Sequence, residues 1–265
     1  MTKTDLLNRF AGNGEQRILL ARLLDRKEWA ESRSVPAHTG FLSPAEQAAA
    51  AALLKACGPV RAYFFGGFDG AERQICAFLP DWLEPKDWKA GENCPVCALR
   101  AEASGPEALN HRDFLGSLMG LGITREKIGD ILLEGNTAVV LTLREQMPIL
   151  LSQWEKVGRH PVKLTEISLK TLEAKEPQTK LVRDTVASLR LDAVLAAGFS
   201  LSRTRAAELI TGGQVSVNHL PCDKTDRTVE AGDVFSCRGL GKCVLTRAEG
   251  KSRKGRIILE LERYL

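Results

Sequence analysis

The sequence predicts an α+β protein built of several domains. Its 265 residues suit two or three domains rather than one. From Pro95 onward, candidate strands and helices follow in the order β-α-β-β-α-β, the ferredoxin-like arrangement shared with many RNA-recognition domains. After a polar stretch the pattern changes to two short helices followed by strands, and the charge changes with it. Leu181–Leu265 carries fourteen Lys and Arg against ten Asp and Glu (14 − 10 = +4), the whole of the chain's net charge of +4. The expected organisation is a helical N-terminal segment at 1–57, a ferredoxin-like (RRM-like) central domain at 58–172, a linker at 173–181 and a small α/β domain at 182–265.

In the first segment Leu6, Leu7 and Phe10, then Ile18, Leu19 and Leu23, recur at helical spacing. Gly12 to Gly14 interrupt them. Ser34 to Gly40 reads as a loop carrying Pro36. Ser43 then reads as an N-cap, with Pro44 at the first helical position and Glu46 completing a capping box before an alanine run. Gly58-Pro59 stops that run. The segment reads as a small helical cap with no chemistry of its own.

Arg61–Phe65 and Gln74–Leu79 read as a hairpin. In the central domain Pro95–Glu102, Gly129–Leu133, Thr137–Leu143 and Val162–Ile167 are the expected strands. Asn110–Leu121 and Arg144–Val157 are the expected helices. RNA-recognition motifs stack bases on sheet aromatics. The strands here offer Val96, Leu99, Ile131, Leu132, Val139, Val140 and Leu141 instead, so the topology arrives without the stacking mechanism.

Composition excludes several classes. The sequence has no run of 18 apolar residues, so no spanning helix is expected. The N-terminus has neither a long apolar segment nor a small-residue cleavage site, and a cytoplasmic location is expected. Seven cysteines, an odd number, point to free thiols in a reducing compartment. Cys94 and Cys97 form a CxxC without the second pair that a zinc site uses. They read as thiols in a strand, and neither a metal nor a cofactor is expected.

The C-terminal domain has the most telling pattern. Asp192–Ala197 reads as a short helix ended by Gly198. Ser202 reads as the N-cap of the next helix, which buries Ala206, Leu209 and Ile210. Arg203 and Arg205 flank that stripe beside the helix N-terminus, where backbone N–H groups and the dipole suit a phosphate. Gly212-Gly213 stops the helix. Val215 and Val217 then point inward and Ser216 and Asn218 outward. Asn218 either contacts RNA or shapes the turn before Pro221. Arg238-Gly-Leu-Gly-Lys242 is a glycine-rich basic loop. The tip of a terminal hairpin carries Lys251, Arg253, Lys254 and Arg256, the densest basic cluster in the chain and equally readable as solvated charge.

The stretch LRLDAVLAAGFSLSRTRAAELITGGQVSVN, residues 189–218, resembles an S4 domain, an RNA-binding module. The upstream HRDFLGSLMGLGITREKIGDILL, residues 111–133, resembles the central domain of the YlmH family. SCRGLGKCVL and GRIILEL are similar to that family's C-terminal module. The resemblance spans roughly residues 60–265. It implies an RNA-binding protein of the large ribosomal subunit, with ribosomal RNA and peptidyl-tRNA as partners, in rescue of stalled complexes; the family is also linked to cell division. Carried over residue by residue, the implied RNA contacts are Arg190, Ser202, Arg203, Arg205 and Asn218. Arg238 and Lys242 fit the family's basic loop, although Lys242 stands where arginine is expected. That departure keeps charge and weakens bidentate phosphate binding.

No catalytic constellation is legible. GSLMGLG is neither GxGxxG nor a P-loop. His111-Arg112-Asp113 lacks the asparagine that the kinase loop carries further on. Arg190-Leu191-Asp192 matches a short run in pseudouridine synthases, but here it opens a short helix, where Asp192 reads as a local cap or ion-pair partner. The leading expectation is a non-catalytic RNA-binding factor. The rivals are an RNA-modifying enzyme of synthase or methyltransferase type, with Asp113, Glu126 or Cys97 as its groups, and a cell-division scaffold.

Overall fold

The computed structural model describes residues 2–91, 93–172, 179–252 and 255–264, the Lys251 side chain excepted. The chain divides into two units, Met1–Ala174 and Lys175–Leu265.

The first unit opens with α1 (Lys3–Phe10) and α2 (Gly14–Arg33), broken where Asn13 caps α2 by accepting from the Gln16 N–H. A strand follows, β1 (Ala37–Leu42), and then α3 (Pro44–Ala56). The Ser43–Glu46 capping box forms as the sequence predicts: Glu46 accepts from the Ser43 N–H at 2.6 Å. β2 (Ala62–Phe65) and β3 (Gln74–Phe78) pair antiparallel, and β1 pairs with the other edge of β3. The expected Ser34–Gly40 loop is therefore corrected from Ala37 onward. The strand AHTGFL has no clean alternation, and its partner β3 lies far along the chain. The three helices bury Leu6, Leu7, Leu20, Leu23, Ala50 and Leu53 against one face of this sheet.

Next come α4 (Pro85–Ala90), β4 (Val96–Ala103), α5 (His111–Gly120), β5 (Ile128–Glu134), β6 (Thr137–Leu143), α6 (Met147–Gln153), β7 (Lys156–Val157) and β8 (His160–Ile167). The antiparallel order β5-β6-β4-β8-β7 contains the ferredoxin-like order. The expected helix Arg144–Val157 is corrected. A 3₁₀ turn at Arg144–Gln146 leads into α6, Trp154 leaves helical geometry, and Lys156–Val157 turns back as β7. Pro148 is tolerated in the first turn of a helix, and α6 holds it there, directly after the 3₁₀ turn.

The sheet's two faces meet different neighbours. One packs on α5 and α6 through Leu99, Phe114, Leu118, Val140 and Leu150. The other, through Val96, Ala98, Leu141 and Leu143, packs on Phe41, Phe65, Ile75 and Trp88. A Cβ on Gly129 would sit 2.7 Å from the Phe41 ring, so contact there is close. An RNA-recognition motif presents its open sheet face to bases; here that face is covered by β1–β3, which is why it carries aliphatic residues. Arg73 ties the layers, donating to the Ile128 carbonyl at 3.0 Å and the Phe41 carbonyl at 2.9 Å. Asp130 accepts from the Glu72 and Arg73 N–H groups at 2.7 and 3.0 Å.

The second unit begins with β9 (Thr179–Val186) and continues with α7 (Leu191–Phe199), α8 (Arg203–Thr211), β10 (Val215–Val217), β11 (Leu220–Pro221), β12 (Val234–Cys237), β13 (Gly241–Lys251) and β14 (Ile257–Tyr264). Its sheet runs β11-β10-β12-β13-β14-β9. Of the expected linker, residues 173–178 lie outside the described residues and 179–181 belong to β9. Those three residues are drawn into strand by pairing with β14, from Thr179 opposite Tyr264 to Leu181 opposite Glu262.

The helix expected at Asp192–Ala197 is also corrected. It runs through Gly198 to Phe199 and stops at Ser200, which is left-handed with φ 57°. Gly198 serves packing here: a Cβ would sit 2.8 Å from the Cys243 Sγ. Val194, Leu195, Ala206, Ile210, Phe235, Cys243, Leu245, Leu259 and Leu261 fill the core beneath the two helices.

Candidate nucleic-acid interface

The second unit places its arginines through two helix starts. Arg190 is the N-cap of α7. The first turn of α7 is held by the loop that follows β11. Leu191 N–H donates to the Arg227 carbonyl at 2.8 Å and Asp192 N–H to the Thr225 carbonyl at 3.1 Å. Asp192 is 6% exposed. Its carboxylate accepts from Arg190 Nε at 3.2 Å and Nη2 at 3.3 Å, and from Arg203 Nη2 at 2.6 Å. Burial pushes the Asp192 carboxyl up, but the hydrogen bonds from Arg190 and Arg203 outweigh it and hold the group below the usual carboxylate range.

One buried anion thus gathers two arginines from different helices and leaves much of each in solvent. Their side chains are 42% and 61% exposed. The fork-shaped guanidinium suits phosphate bidentately, and an arginine held by a carboxylate on one edge keeps its other donors free in direction.

Ser202 caps α8, its hydroxyl accepting from the Arg205 N–H at 3.1 Å. Arg205 points along the helix to Glu208 at 2.8 Å, a surface pair of small energetic weight. Asn218 sits at the β10–β11 turn with φ 50°. Its amide donates to Asp233 at 2.7 Å and its carbonyl accepts from the Val234 N–H at 2.9 Å, so it shapes that turn. Arg238 lies at the other end of β10, its N–H donating to the Gln214 carbonyl at 2.9 Å. The β12–β13 turn needs left-handed backbone at Gly239 and Gly241, φ 85° and 97°, where glycine is free of Cβ strain. The Lys242 ammonium lies 4.6 Å from the Tyr264 ring centroid.

The structure therefore unites Arg190 with Arg203 and sets Asn218 and Arg238 at opposite ends of β10. Arg253 and Lys254 lie outside the described residues, as does the Lys251 side chain. Arg256 at the same tip donates to the Thr185 carbonyl at 2.5 Å.

Lys224 and Arg227 escaped the sequence reading. Their loop holds the start of α7 through main-chain bonds, and the run CDKTDR was the available signal. The rival catalytic groups have local structural work. Asp113 closes a capping box by accepting from the Asn110 N–H at 2.8 Å. Glu126 lies exposed 3.7 Å from Arg22. Cys97 is 2% exposed, and burial pushes its thiol up to about 12. Among the described residues no group of three or more His, Cys, Asp or Glu is placed to hold a metal ion, and no helix is long and apolar enough to cross a membrane.

Fold and site together define an S4-domain protein, and they support an RNA-binding role. Residues 189–235 match the S4 domain family, and residues 106–171 match the family described as "Putative RNA-binding domain in YlmH". Over 250 residues the chain is 30% identical to "Ribosome-associated protein quality control protein P2" of Bacillus subtilis (strain 168), covering 94% of this chain and 95% of that one. The solved structure of "Cell division protein ylmH from Streptococcus pneumoniae" shares the fold at a TM-score of 0.50 and 22% identity, over 60% of this chain and 94% of that one. The chain belongs to the YlmH family.

Proposed function

We propose that the chain is a non-catalytic RNA-binding factor. It docks on RNA of the large ribosomal subunit in the cytoplasm, in rescue or quality control of stalled ribosomes, where peptidyl-tRNA is a further partner. The observation that carries this is the pair of arginines, Arg190 and Arg203, held on the buried Asp192 at the start of the two S4 helices. The name of the Bacillus relative supports the ribosomal setting. The local structural roles of Asp113, Glu126 and Cys97 support a binding role over a catalytic one. Arg205, Arg238 and Lys242 add cations to the same domain; Ser202 fixes the helix start and Asn218 the turn.

Salt dependence tests the proposal. With four to six phosphates contacted, binding of fluorescein-labelled large-subunit ribosomal RNA fragments should fall on a log–log plot with a slope of about −3 to −5. A flat response would mean that phosphates are not the ligand.

A further inference from the structure

The first unit holds a cavity of about 380 Å³ that no part of the S4 reading uses. It is lined by the end of α4, the start of β4, the 3₁₀ turn after β6 and the end of β8. Lys89, Arg144 and Lys170 line it from three separate elements, with Glu166 as the one acidic residue among its described lining residues. Among the described lining residues three cations stand against one carboxylate. The first 180 residues have no net charge: 37 − 14 = 23 basic and 33 − 10 = 23 acidic residues. Cations gathered at one cavity, on a stretch of chain with no net charge, suit an anionic ligand.

The cations are held as well as clustered. The Lys89 ammonium sits 5.0 Å from the Phe65 ring centroid, and Arg144 Nη1 donates to Glu166 Oε1 at 3.1 Å. The cavity floor reports their convergence. Burial pushes the Cys94 thiol up, and against it act first its hydrogen bond to the Val96 carbonyl and then the charges of Arg144 and Lys89. The mouth stays polar through Ser168, whose hydroxyl accepts from the Lys170 N–H at 3.3 Å.

We infer that this cavity is a second phosphate site, taking a backbone phosphodiester of the RNA that the S4 domain binds. The inference rests on the RNA-binding proposal above. It gives the first unit a contact of its own, away from the covered sheet face where RNA-recognition motifs read bases. Lys89 and Lys170 meet the phosphate as point charges, and Arg144, fixed by Glu166, supplies a directed donor.

The test uses the full chain with Lys89→Ala and Lys170→Ala combined. Both side chains are exposed, so an unchanged thermal melt is expected. With the labelled ribosomal RNA fragments, losing this one phosphate contact should lower the magnitude of the salt slope by about 0.7 to 0.9. An unchanged slope and affinity, with wild type still binding in a salt-dependent way, overturns the second site and leaves the S4 proposal standing. A flat wild-type response overturns both. In a parallel arm the protein is titrated with inorganic phosphate and followed by NMR. Saturation at millimolar phosphate, lost in the double variant and without effect on the RNA slope, would overturn the RNA assignment in favour of a free phosphate ligand.

Discussion

Asp192→Asn is the sharpest perturbation the structure offers. It keeps the side chain's shape and removes the charge that holds Arg190 and Arg203. The cost in stability is small, because both arginines reach solvent and their pairs count at the surface rate of about 0.2–1 kcal/mol each. A loss of about 1 kcal/mol leaves a domain of ordinary stability folded. RNA affinity should change more. Re-immobilising two released arginines costs about 0.5–1.5 kcal/mol each, which together weakens Kd by roughly 5- to 150-fold. One opposing effect exists: removing an acid adds attraction for phosphate, but at physiological salt that is screened within about 8 Å. Fluorescence anisotropy with the labelled ribosomal RNA fragments reads the result. Because the same phosphates are contacted, the salt slope should stay as in wild type. Arg190→Ala with Arg203→Ala should instead lower its magnitude by about 1.4 to 1.8. In that double background Asp192→Asn should have no further effect on affinity. If Asp192→Asn alone binds RNA as tightly as wild type, or tighter, the positioning account is wrong.

Three further outcomes follow from the geometry. The Asp192 carboxyl lies below its usual range, so the stability of its ion pairs is present above the unfolded value of about 3.9 and lost as pH falls through the folded one; the affinity gap between wild type and Asp192→Asn should hold from pH 8 to 5, and its collapse near pH 6 would contradict the assignment. Gly198→Ala gains about 1 kcal/mol of helix propensity but meets Cys243 Sγ at 2.8 Å, where overpacking costs about 1–3 kcal/mol; urea melts should show a net loss that Cys243→Ala reverses, and a stabilised single variant would refute the packing role of Gly198. Burial pushes the Cys76 and Cys97 thiols up to about 12, and Cys57 alone of the seven cysteines is not buried; iodoacetamide on the native protein should label Cys57 first, whereas equal labelling of Cys94 and Cys97 would reveal an open CxxC.

Local signals were legible in the sequence, and long-range ones were not. The Ser43–Glu46 box, the split β-α-β-β-α-β order and the Ser202 cap depend on neighbours a few residues away, and each forms. β1 and β9 were missed because each is made a strand by a distant partner, β3 and β14. Gly198 looked like a helix stop because glycine usually disfavours helix; its reason lies across the core at Cys243. The missing sheet aromatics were visible, but not their cause, since Phe41, Phe65 and Ile75 of β1–β3 cover that face from well upstream. At the site, the arginines were read correctly as residues flanking a buried stripe. The union of Arg190 and Arg203 on Asp192 was not, because Asp192 and Arg203, eleven residues apart across a turn, follow no spacing rule.

Co-sedimentation with purified large ribosomal subunits tests the central claim most directly. Wild type should travel with the subunits in a sucrose gradient. Arg203→Ala with Arg205→Ala, both exposed on α8, should remain at the top of the gradient while still melting cooperatively, at a temperature lowered by no more than the lost Arg203–Asp192 pair accounts for, about 0.2–1 kcal/mol. A folded double variant that still travels with the subunits would contradict docking through the S4 arginines.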